Sequence, residues 1–181
     1  MKIVYISGSP RENSNTDYLL NLLNSQITGE FIKLSEYQIE SCRACMDCRG
    51  KGKCVIVDEM SKLIIPKLLV NNVIVLGSPV YFNNVSSQMK VFMDRTHCLI
   101  GLLKNKIGGC VVVGRRYGAE SAITAINGYF TKHSMIPANR GVLGYAFNTG
   151  EMKKDVLAVE DINKLAERII ELERIIKSKS D

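Results

Sequence analysis

The stretch from Lys2 to Thr16, KIVYISGSPRENSNT, decides the fold of the chain. Its beginning, Lys2 to Ile6, is mostly apolar and rich in residues that favour strands, which predicts a short buried β-strand. Beyond the polar loop, apolar residues recur at helical spacing, at Tyr18, Leu19, Leu22 and Leu23. We therefore expect a helix that begins after Asn15 or Thr16. A strand, a loop and a helix in this order are the repeating unit of a parallel α/β sheet.

The loop between this strand and this helix has the composition of an anion site. It supplies one guanidinium, from Arg11, and backbone N–H groups at the positive end of a helix dipole. It also supplies the hydroxyls of Ser7, Ser9, Ser14 and Thr16. The loop lacks both G-x-x-x-x-G-K-[ST] and G-x-G-x-x-G, which disfavours a nucleoside-triphosphate or dinucleotide fingerprint. A site for a single phosphate is the favoured interpretation, and a simple capping loop is the alternative.

Four further β-rich runs alternate with helical segments along the chain. We expect strands at residues 31–34, 73–76, 107–113 and 141–147. Asp58 is a candidate N-cap of one helix, which Pro66 should kink or shorten. An amphipathic helix at about 159–177 closes the chain. The pattern predicts one domain over residues 1–181, with an open, doubly wound, five-stranded parallel sheet.

Two more loops lie at the carboxyl ends of predicted strands, where sheets of this kind bind ligands. The loop after the third strand contains Pro79, Val80, Tyr81, Phe82 and Asn83. Aromatic rings there can stack on a planar ligand while an amide bonds to its edge. The loop after the fourth strand contains Arg115, Arg116, Tyr117 and Gly118. One loop thus suits a phosphate and two suit a flat ring system, a combination that FMN matches better than a dinucleotide does.

Four of the six cysteines form a compact segment, residues 42–54, inserted after the second predicted strand. They are Cys42, Cys45, Cys48 and Cys54, with the spacing C-x2-C-x2-C-x5-C. Three thiolates at every third position of an irregular segment can face three corners of a compact inorganic core, and a fourth can close the remaining corner. This spacing favours a [4Fe-4S] cluster over zinc, whose paired C-x2-C ligands are usually separated by a longer excursion. We expect the other two cysteines, Cys98 and Cys110, to be structural, and His97 and His133 to lie in the core or at the surface.

Composition narrows the range of partners. The net charge of +6 is modest and no long basic run is present, so nucleic acid is not an expected partner. No run approaches the roughly 20 apolar residues of a membrane span and no cleavage site follows the N-terminus, so we expect a cytoplasmic protein without membrane contact. In a reducing compartment clustered cysteines are better interpreted as metal ligands or redox thiols than as disulfides.

Basic residues gather within the cysteine segment. They are Arg43, Arg49, Lys51 and Lys53, opposed only by Asp47. The favoured interpretation is a solvated loop whose charge offsets that of a thiolate-ligated cluster. The alternative is a docking patch for an acidic redox partner.

Three motifs carry a family resemblance: S-G-S-P-R-x-x-S-N-T after the first strand, G-S-P-V-Y-F-N-N after the third and G-R-R-Y-G after the fourth. Over roughly residues 1–147 they resemble the flavodoxin-like, NADPH-dependent FMN reductase superfamily. The cysteine motif narrows the resemblance to the iron–sulfur flavoprotein family. It implies that the FMN phosphate is held by Ser7, Ser9, Arg11, Ser14, Asn15 and Thr16. It also implies that residues 79–83 and 115–118 border the rest of the flavin, and that the four clustered cysteines ligate a [4Fe-4S] cluster.

The resemblance implies a homo-oligomer, a dimer or tetramer, with the cluster near a subunit interface. The expected function is electron transfer from a ferredoxin-like, acidic donor through the cluster to FMN, and on to oxygen, peroxide or a quinone, with no acid–base residue required. One alternative is an NAD(P)H-dependent FMN or quinone reductase whose cysteines bind zinc or nothing. The other is a non-enzymatic redox sensor or electron carrier.

Overall fold

A parallel β-sheet forms the centre of the molecule in the computed structural model, which describes residues 1–49 and 51–178. Its strands are β1 (Ile3–Ser7), β2 (Glu30–Lys33), β3 (Val73–Pro79), β4 (Ile107–Gly114), β5 (Ile136–Pro137) and β6 (Val142–Tyr145). The order across the sheet is β2-β1-β3-β4-β5, with β6 also paired to β4. Every pairing is parallel. The predicted doubly wound parallel sheet is confirmed.

The last position of the sheet differs from the prediction, because two short strands share it. β5 pairs with the first residues of β4, Ile107 and Gly108, whereas β6 pairs with residues 111–114. Between them Gly141 adopts a φ of +122°, and a Cβ there would lie 3.2 Å from the Cys110 sulfur. The chain therefore bends close to β4 at Gly141. The strand predicted at 141–147 corresponds to β6, and β5 is an additional short strand that precedes the bend.

Helices cover both faces of the sheet. They are α1 (Asn15–Gln26), α2 (Ile65–Val70), α3 (Ser87–Arg95), α4 (Ala119–Lys132) and α5 (Val156–Lys177). Alternate residues of β1 point to opposite faces: Val4 and Ile6 join the core beneath α2, α3 and α4, whereas Ile3 and Tyr5 join the core beneath α1 and α5. All five residues of β1 are buried, as expected for a strand covered on both sides. No helix in the described ranges is long and apolar enough to cross a membrane.

The predicted helix signals are present, with local shifts. Ser14 caps α1 by accepting the Asp17 N–H at 3.0 Å, so this helix begins slightly earlier than predicted. Asp58 accepts the Ser61 N–H at 3.1 Å, as an N-cap does, but the first turn is a π-helix over Met60–Ile64. Pro66 lies in the first turn of α2, directly after this π-helix. The closing helix α5 starts a few residues before the predicted 159 and ends at the predicted 177.

Candidate functional site

Four loops at the carboxyl ends of β1, β3, β4 and β6 surround a cavity of about 380 Å³. Parallel strands bring their ends to one edge of the sheet, which is why loops distant in sequence meet there. The residues lining it that the sequence predicted are Ser9, Arg11, Ser14, Asn15, Thr16, Pro79, Val80, Tyr81 and Arg115. These predicted residues bring two guanidinium groups, several hydroxyls and one aromatic ring to the cavity wall.

Ser7, predicted as a phosphate ligand, lies behind the loop and not on the cavity wall. It is buried, and its hydroxyl donates to the Asp17 carboxylate while accepting the Ser9 N–H at 3.2 Å. Asp17 is in turn paired with Lys33 at 2.6 Å. This network fixes the base of the loop, and Lys33 offsets the carboxylate charge that would otherwise repel an anion.

The loops after β1 and β3 are tied directly to each other. The Gly8 N–H donates to the Gly77 carbonyl at 2.8 Å, and the Ser86 hydroxyl donates to the Gly8 carbonyl at 2.6 Å. The Ser86 N–H donates to the Ser78 hydroxyl at 2.9 Å. A Cβ on Gly8 would lie 2.8 Å from the Met89 Cβ, closer than real side chains approach. The phosphate loop after β1 and the loop after β3, which is the first of the two predicted ring loops, are therefore packed together as one unit.

Part of the predicted ring-binding set lies outside the cavity. Phe82 and Asn83 have φ values of +48° and +59° and form the tip of a turn closed by hydrogen bonds between Tyr81 and Asn84. Phe82 is fully exposed. Asn83 packs on Gly118, where a Cβ would lie 2.4 Å from the Asn83 Oδ1. The two ring loops thus touch each other at this point.

The two arginines of the second ring loop point to different places. Arg115 lines the cavity, and its Cζ lies 4.9 Å from the centre of the Phe147 ring. Arg116 lies over the exposed Tyr117 ring, 5.1 Å from its centre, and neither of the two lines the cavity. Arg115 is thus the residue of this loop that could meet a bound ligand.

The sequence reasoning missed a fourth wall of the cavity, the loop after β6. Its lining residues are Ala146, Phe147, Asn148 and Thr149. The Asn15 side chain fastens this loop, since its amide donates to the Asn148 carbonyl at 2.8 Å and its Oδ1 accepts the Gly150 N–H at 3.0 Å. The Asn-Thr-Gly sequence after the last predicted strand was the available signal, because a loop there must open onto the same edge.

The four clustered cysteines lie near one another on the surface. Cys42 and Cys45 are exposed, whereas Cys48 and Cys54 are half-buried. The pKa of Cys48 is raised, mainly by burial and then by the thiolate charges of Cys54, Cys45 and Cys42. Within residues 1–49 and 51–178, however, no three His, Cys, Asp or Glu side chains are grouped closely enough to hold a metal ion.

The backbone around Cys45 has an unusual conformation that suits an anionic cofactor. Ala44 and Met46, on either side of it, have φ values of +50° and +61°. Left-handed backbone costs a non-glycine residue about 1–2 kcal/mol. Alternation of right- and left-handed residues aims successive N–H groups into one concavity, a feature found at many iron–sulfur sites. Donor type and backbone conformation therefore fit a thiolate-ligated cluster.

Arg95 of α3 fastens both ends of the cysteine segment. Its side chain is fully buried, and its terminal nitrogens donate to the two Asp58 oxygens at 2.6 and 2.9 Å and to the Glu40 carbonyl at 2.6 Å. Burial alone would raise the pKa of Asp58, but hydrogen bonds, above all from Arg95, lower it to about 2. Since Glu40 precedes the first cysteine and Asp58 follows the last, one side chain holds the segment closed.

Two residues outside the cysteine motif, His97 and Cys98, adjoin the cysteine segment. The His97 Nδ1 lies 3.6 Å from the Cys48 sulfur. Cys98 is buried, and its pKa is raised to about 11 by burial and then by the charges of Cys54 and Cys48. Both residues line a second cavity of about 390 Å³ beside the segment. No local motif could have predicted this contact, because 49 positions separate Cys48 from His97.

The sheet topology and the cavity at its carboxyl edge define a flavodoxin-like protein of the flavin-dependent oxidoreductase class. Residues 1–150 match the family model of NADPH-dependent FMN reductases. An iron–sulfur flavoprotein of Methanocaldococcus jannaschii is 39% identical over 193 residues, which cover 98% of this chain and 100% of the relative. The chain belongs to the iron–sulfur flavoprotein family, within the flavodoxin-like superfamily of FMN reductases.

Two further comparisons concern a second relative and a solved structure. An iron–sulfur flavoprotein of Methanosarcina thermophila is 29% identical over 193 residues, covering 100% of both chains. Among solved structures, RosB with bound 8-demethyl-8-formylriboflavin-5'-phosphate matches with a TM-score of 0.81 at 18% identity, over 98% of this chain and 81% of that chain. The second similarity concerns the fold alone.

Proposed function

We propose that this protein transfers electrons from an acidic, ferredoxin-like donor through a [4Fe-4S] cluster to FMN, and from FMN to an acceptor such as oxygen, peroxide or a quinone. The observation that supports the proposal most is the meeting of nine predicted flavin contacts around one cavity, in a chain that also carries four neighbouring thiols. When both groups are bound, the cluster supplies single electrons and FMN supplies the two-electron chemistry of the acceptor.

FMN would occupy the cavity at the carboxyl edge, whose volume lies in the range of about 300–1,000 Å³ typical of small-molecule sites. Arg11 and the hydroxyls of Ser9, Ser14 and Thr16 would hold the phosphate. Tyr81, Arg115 and Phe147 would border the ring system. Each of these groups can bind or orient the flavin without undergoing a chemical change.

Some of the remaining predicted residues would act on the flavin indirectly, and others would contact it only in the flavin complex. Ser7 and Asn15 would shape the cavity, since their side chains bond to Asp17 and to the loop after β6. Asn83 and Gly118 would hold the two ring loops together. Direct contacts from Phe82, Arg116 and Tyr117 stay predictions that a flavin complex would test.

Cys42, Cys45, Cys48 and Cys54 would ligate the cluster. The adjacent positive charge supports both this assignment and the donor. Arg43 is paired with Glu40, but the structure gives no ion pair for Arg49, Lys51 or Lys53 in the part of the chain that it describes. Unpaired cations offset the negative charge of a thiolate-ligated cluster and attract an acidic partner.

The decisive experiment is an anaerobic purification scored for iron, acid-labile sulfide, zinc and FMN per chain. The proposal predicts about four irons, four sulfides and one FMN. Zinc together with FMN would instead support a flavin reductase with a zinc-bound cysteine segment. Iron and sulfide without flavin would contradict the assignment of the cavity.

A second function is favoured by one finding, the match of residues 1–150 to NADPH-dependent FMN reductases. In that case NAD(P)H would reduce the flavin directly and the cysteines would have no part in the reaction. Anaerobic mixing with NADPH separates the two functions. Prompt, stoichiometric bleaching of the flavin supports the reductase, whereas slow bleaching that a ferredoxin-type donor accelerates supports the electron-transfer protein.

A further inference from the structure

Arg95 has one buried donor group that the protein leaves without an acceptor. Its side chain is 0% exposed, and its two terminal nitrogens bond to Asp58, to the Glu40 carbonyl and, at 3.4 Å, to the Ile56 carbonyl. The Nε, by contrast, has no hydrogen-bond partner among the described residues. A buried donor left in this state is energetically costly, so an acceptor that completes it should bind favourably.

The candidate acceptor near this guanidinium is the sulfur of Cys54. The Arg95 Nη2 lies 3.4 Å from the carbonyl of Ile56, two residues after Cys54. The Cys54 side chain packs against the core that includes Phe92 and Leu99, on either side of Arg95 in the sequence. Cys54 thus lies near the guanidinium, on the half-buried side of the cysteine segment. The positive charge of Arg95 and the negative charge of Asp58 cancel, so together the two side chains add no net charge beside Cys54. Any effect of Arg95 on Cys54 should therefore come mainly from its directed N–H group and not from net charge.

We propose that the Arg95 Nε–H donates a hydrogen bond to the sulfur at the Cys54 corner of the cluster, so that Arg95 both positions the ligand segment and raises the cluster's reduction potential. This inference rests on the proposed cluster ligation by Cys42, Cys45, Cys48 and Cys54. Hydrogen bonds to cluster sulfurs stabilise the reduced form, because reduction adds negative charge to the acceptor. Arg95 is a positioning residue, since it transfers no electron or proton itself.

Two variants separate the hydrogen bond from the ion pair. Arg95→Lys keeps the positive charge but removes the Nε–H, whereas Asp58→Asn weakens the same ion pair and keeps the Nε–H. The potential of the cluster is measured in the anaerobically purified holoproteins by a redox titration followed by EPR. Arg95→Lys should lower the ratio of reduced to oxidised cluster at the wild-type midpoint roughly tenfold, which is 59 mV for a one-electron couple. Asp58→Asn should raise this ratio, because it removes a negative charge near the cluster.

The inference is tested by whether the two variants shift the reduction potential of the cluster in opposite directions. If both variants shift the potential in the same direction, or if Arg95→Lys leaves it unchanged, Arg95 is only a structural clamp and the inference is wrong. Retained iron is a second readout: loss of iron in Arg95→Lys but not in Asp58→Asn supports the hydrogen bond, because both variants weaken the same pair. Absence of iron and sulfide from the wild-type protein would instead refute the cluster proposal itself.

If neither single variant retains iron, the potential of the cluster can be measured in a double variant instead. Arg95→Met with Asp58→Leu replaces the buried pair by apolar side chains of similar size, a change that proteins often tolerate. The inference predicts a cluster with a lower potential than that of the wild type. A wild-type potential in the double variant would overturn it.

Discussion

Cys45 is the thiol whose surroundings are most unusual, because left-handed residues precede and follow it. The Cys45→Ala variant should lose most of its iron and acid-labile sulfide, since three thiolates leave one corner of the cluster open. It should retain FMN, because the cavity at the carboxyl edge is built from other segments. Iron, sulfide and flavin assays on the purified variant measure both effects.

Cys110→Ala is the matched control for that variant, because Cys110 is buried in β4, away from the cysteine segment. It should keep wild-type amounts of iron and sulfide. Wild-type iron in Cys45→Ala would show that this cysteine is not a ligand.

His133 is a buried residue whose titration should weaken the fold in acid. It is 2% exposed, its Nε2 lies 3.1 Å from the Thr96 hydroxyl, and burial lowers its pKa from 6.5 to about 4. Below pH 6.5 the unfolded chain therefore binds a proton that the folded chain does not, and stability falls until the pH reaches about 4. At pH 5 the loss from this residue should be about 2 kcal/mol.

The measurement is the free energy of unfolding by urea at pH 7 and at pH 5, in the wild-type protein and in His133→Gln. The variant should lose less stability between these two pH values than the wild type does, whatever its stability at pH 7. Equal losses would show that His133 is protonated in the folded protein.

At the scale of elements, the contact between the two ring loops depends on a single glycine. Gly118 has a φ of +81° and packs on Asn83. Gly150 has a similar φ, +84°, but no atom lies within 4 Å of the position its Cβ would occupy. Gly150→Ala should therefore cost about 1–2 kcal/mol, the cost of left-handed backbone, whereas Gly118→Ala should cost clearly more and weaken FMN binding.

Chemical denaturation and a fluorescence titration of the apoprotein with FMN measure the two quantities for both variants. Equal destabilisation by the two substitutions would show that the ring loops separate easily. The close packing between Asn83 and Gly118 would then have no role in the flavin site.

The elements that sequence predicted well are those set by local pattern. The apolar runs of β1 and β3 and the amphipathic stripe of α5 follow directly from burial, and the loop rule for parallel sheets then places Arg11, Tyr81 and Arg115 around one cavity. The bend at Gly141 was missed because it depends on the approach of the chain to β4.

The contacts of Arg95 and His97 with the cysteine segment could not be predicted for a related reason. Each joins residues 37 or more positions apart, and neither residue lies in a recognisable motif. Arginine is rarely buried unless it is paired, and the partner of Arg95, Asp58, lies 37 positions away in the sequence. Polar pairs between residues far apart in the chain produce no periodic pattern in a single sequence.

For the molecule as a whole, exposed apolar side chains near the carboxyl edge of the sheet support the expected homo-oligomer. They are Phe82, Tyr117, Phe147, Val156 and Leu157. Exposed apolar side chains on one side of a molecule are candidates for a subunit interface. Light scattering coupled to size-exclusion chromatography should give the mass of a dimer or tetramer for the wild-type protein and a lower mass for Leu157→Glu.

Val70→Glu provides the control for the mass measurement. Val70 is also exposed, but it ends α2 and is not one of the residues of that apolar group. This variant should keep the wild-type mass. A monomeric wild-type protein would refute the expectation of an oligomer.

The closure of the cysteine segment by Arg95 has a consequence for how the cofactor is acquired. Bringing the ends of a flexible loop together costs conformational entropy. In this protein the hydrogen bonds of Arg95 to Glu40 and Asp58 hold the two ends of the cysteine segment together before iron binds. Cluster assembly then needs to order only the interior of a tethered loop, so the apoprotein presents its thiols at high local concentration to an incoming metal. Loss of the cluster should likewise leave the sheet and the flavin cavity intact, which makes cofactor loading a reversible event confined to one loop.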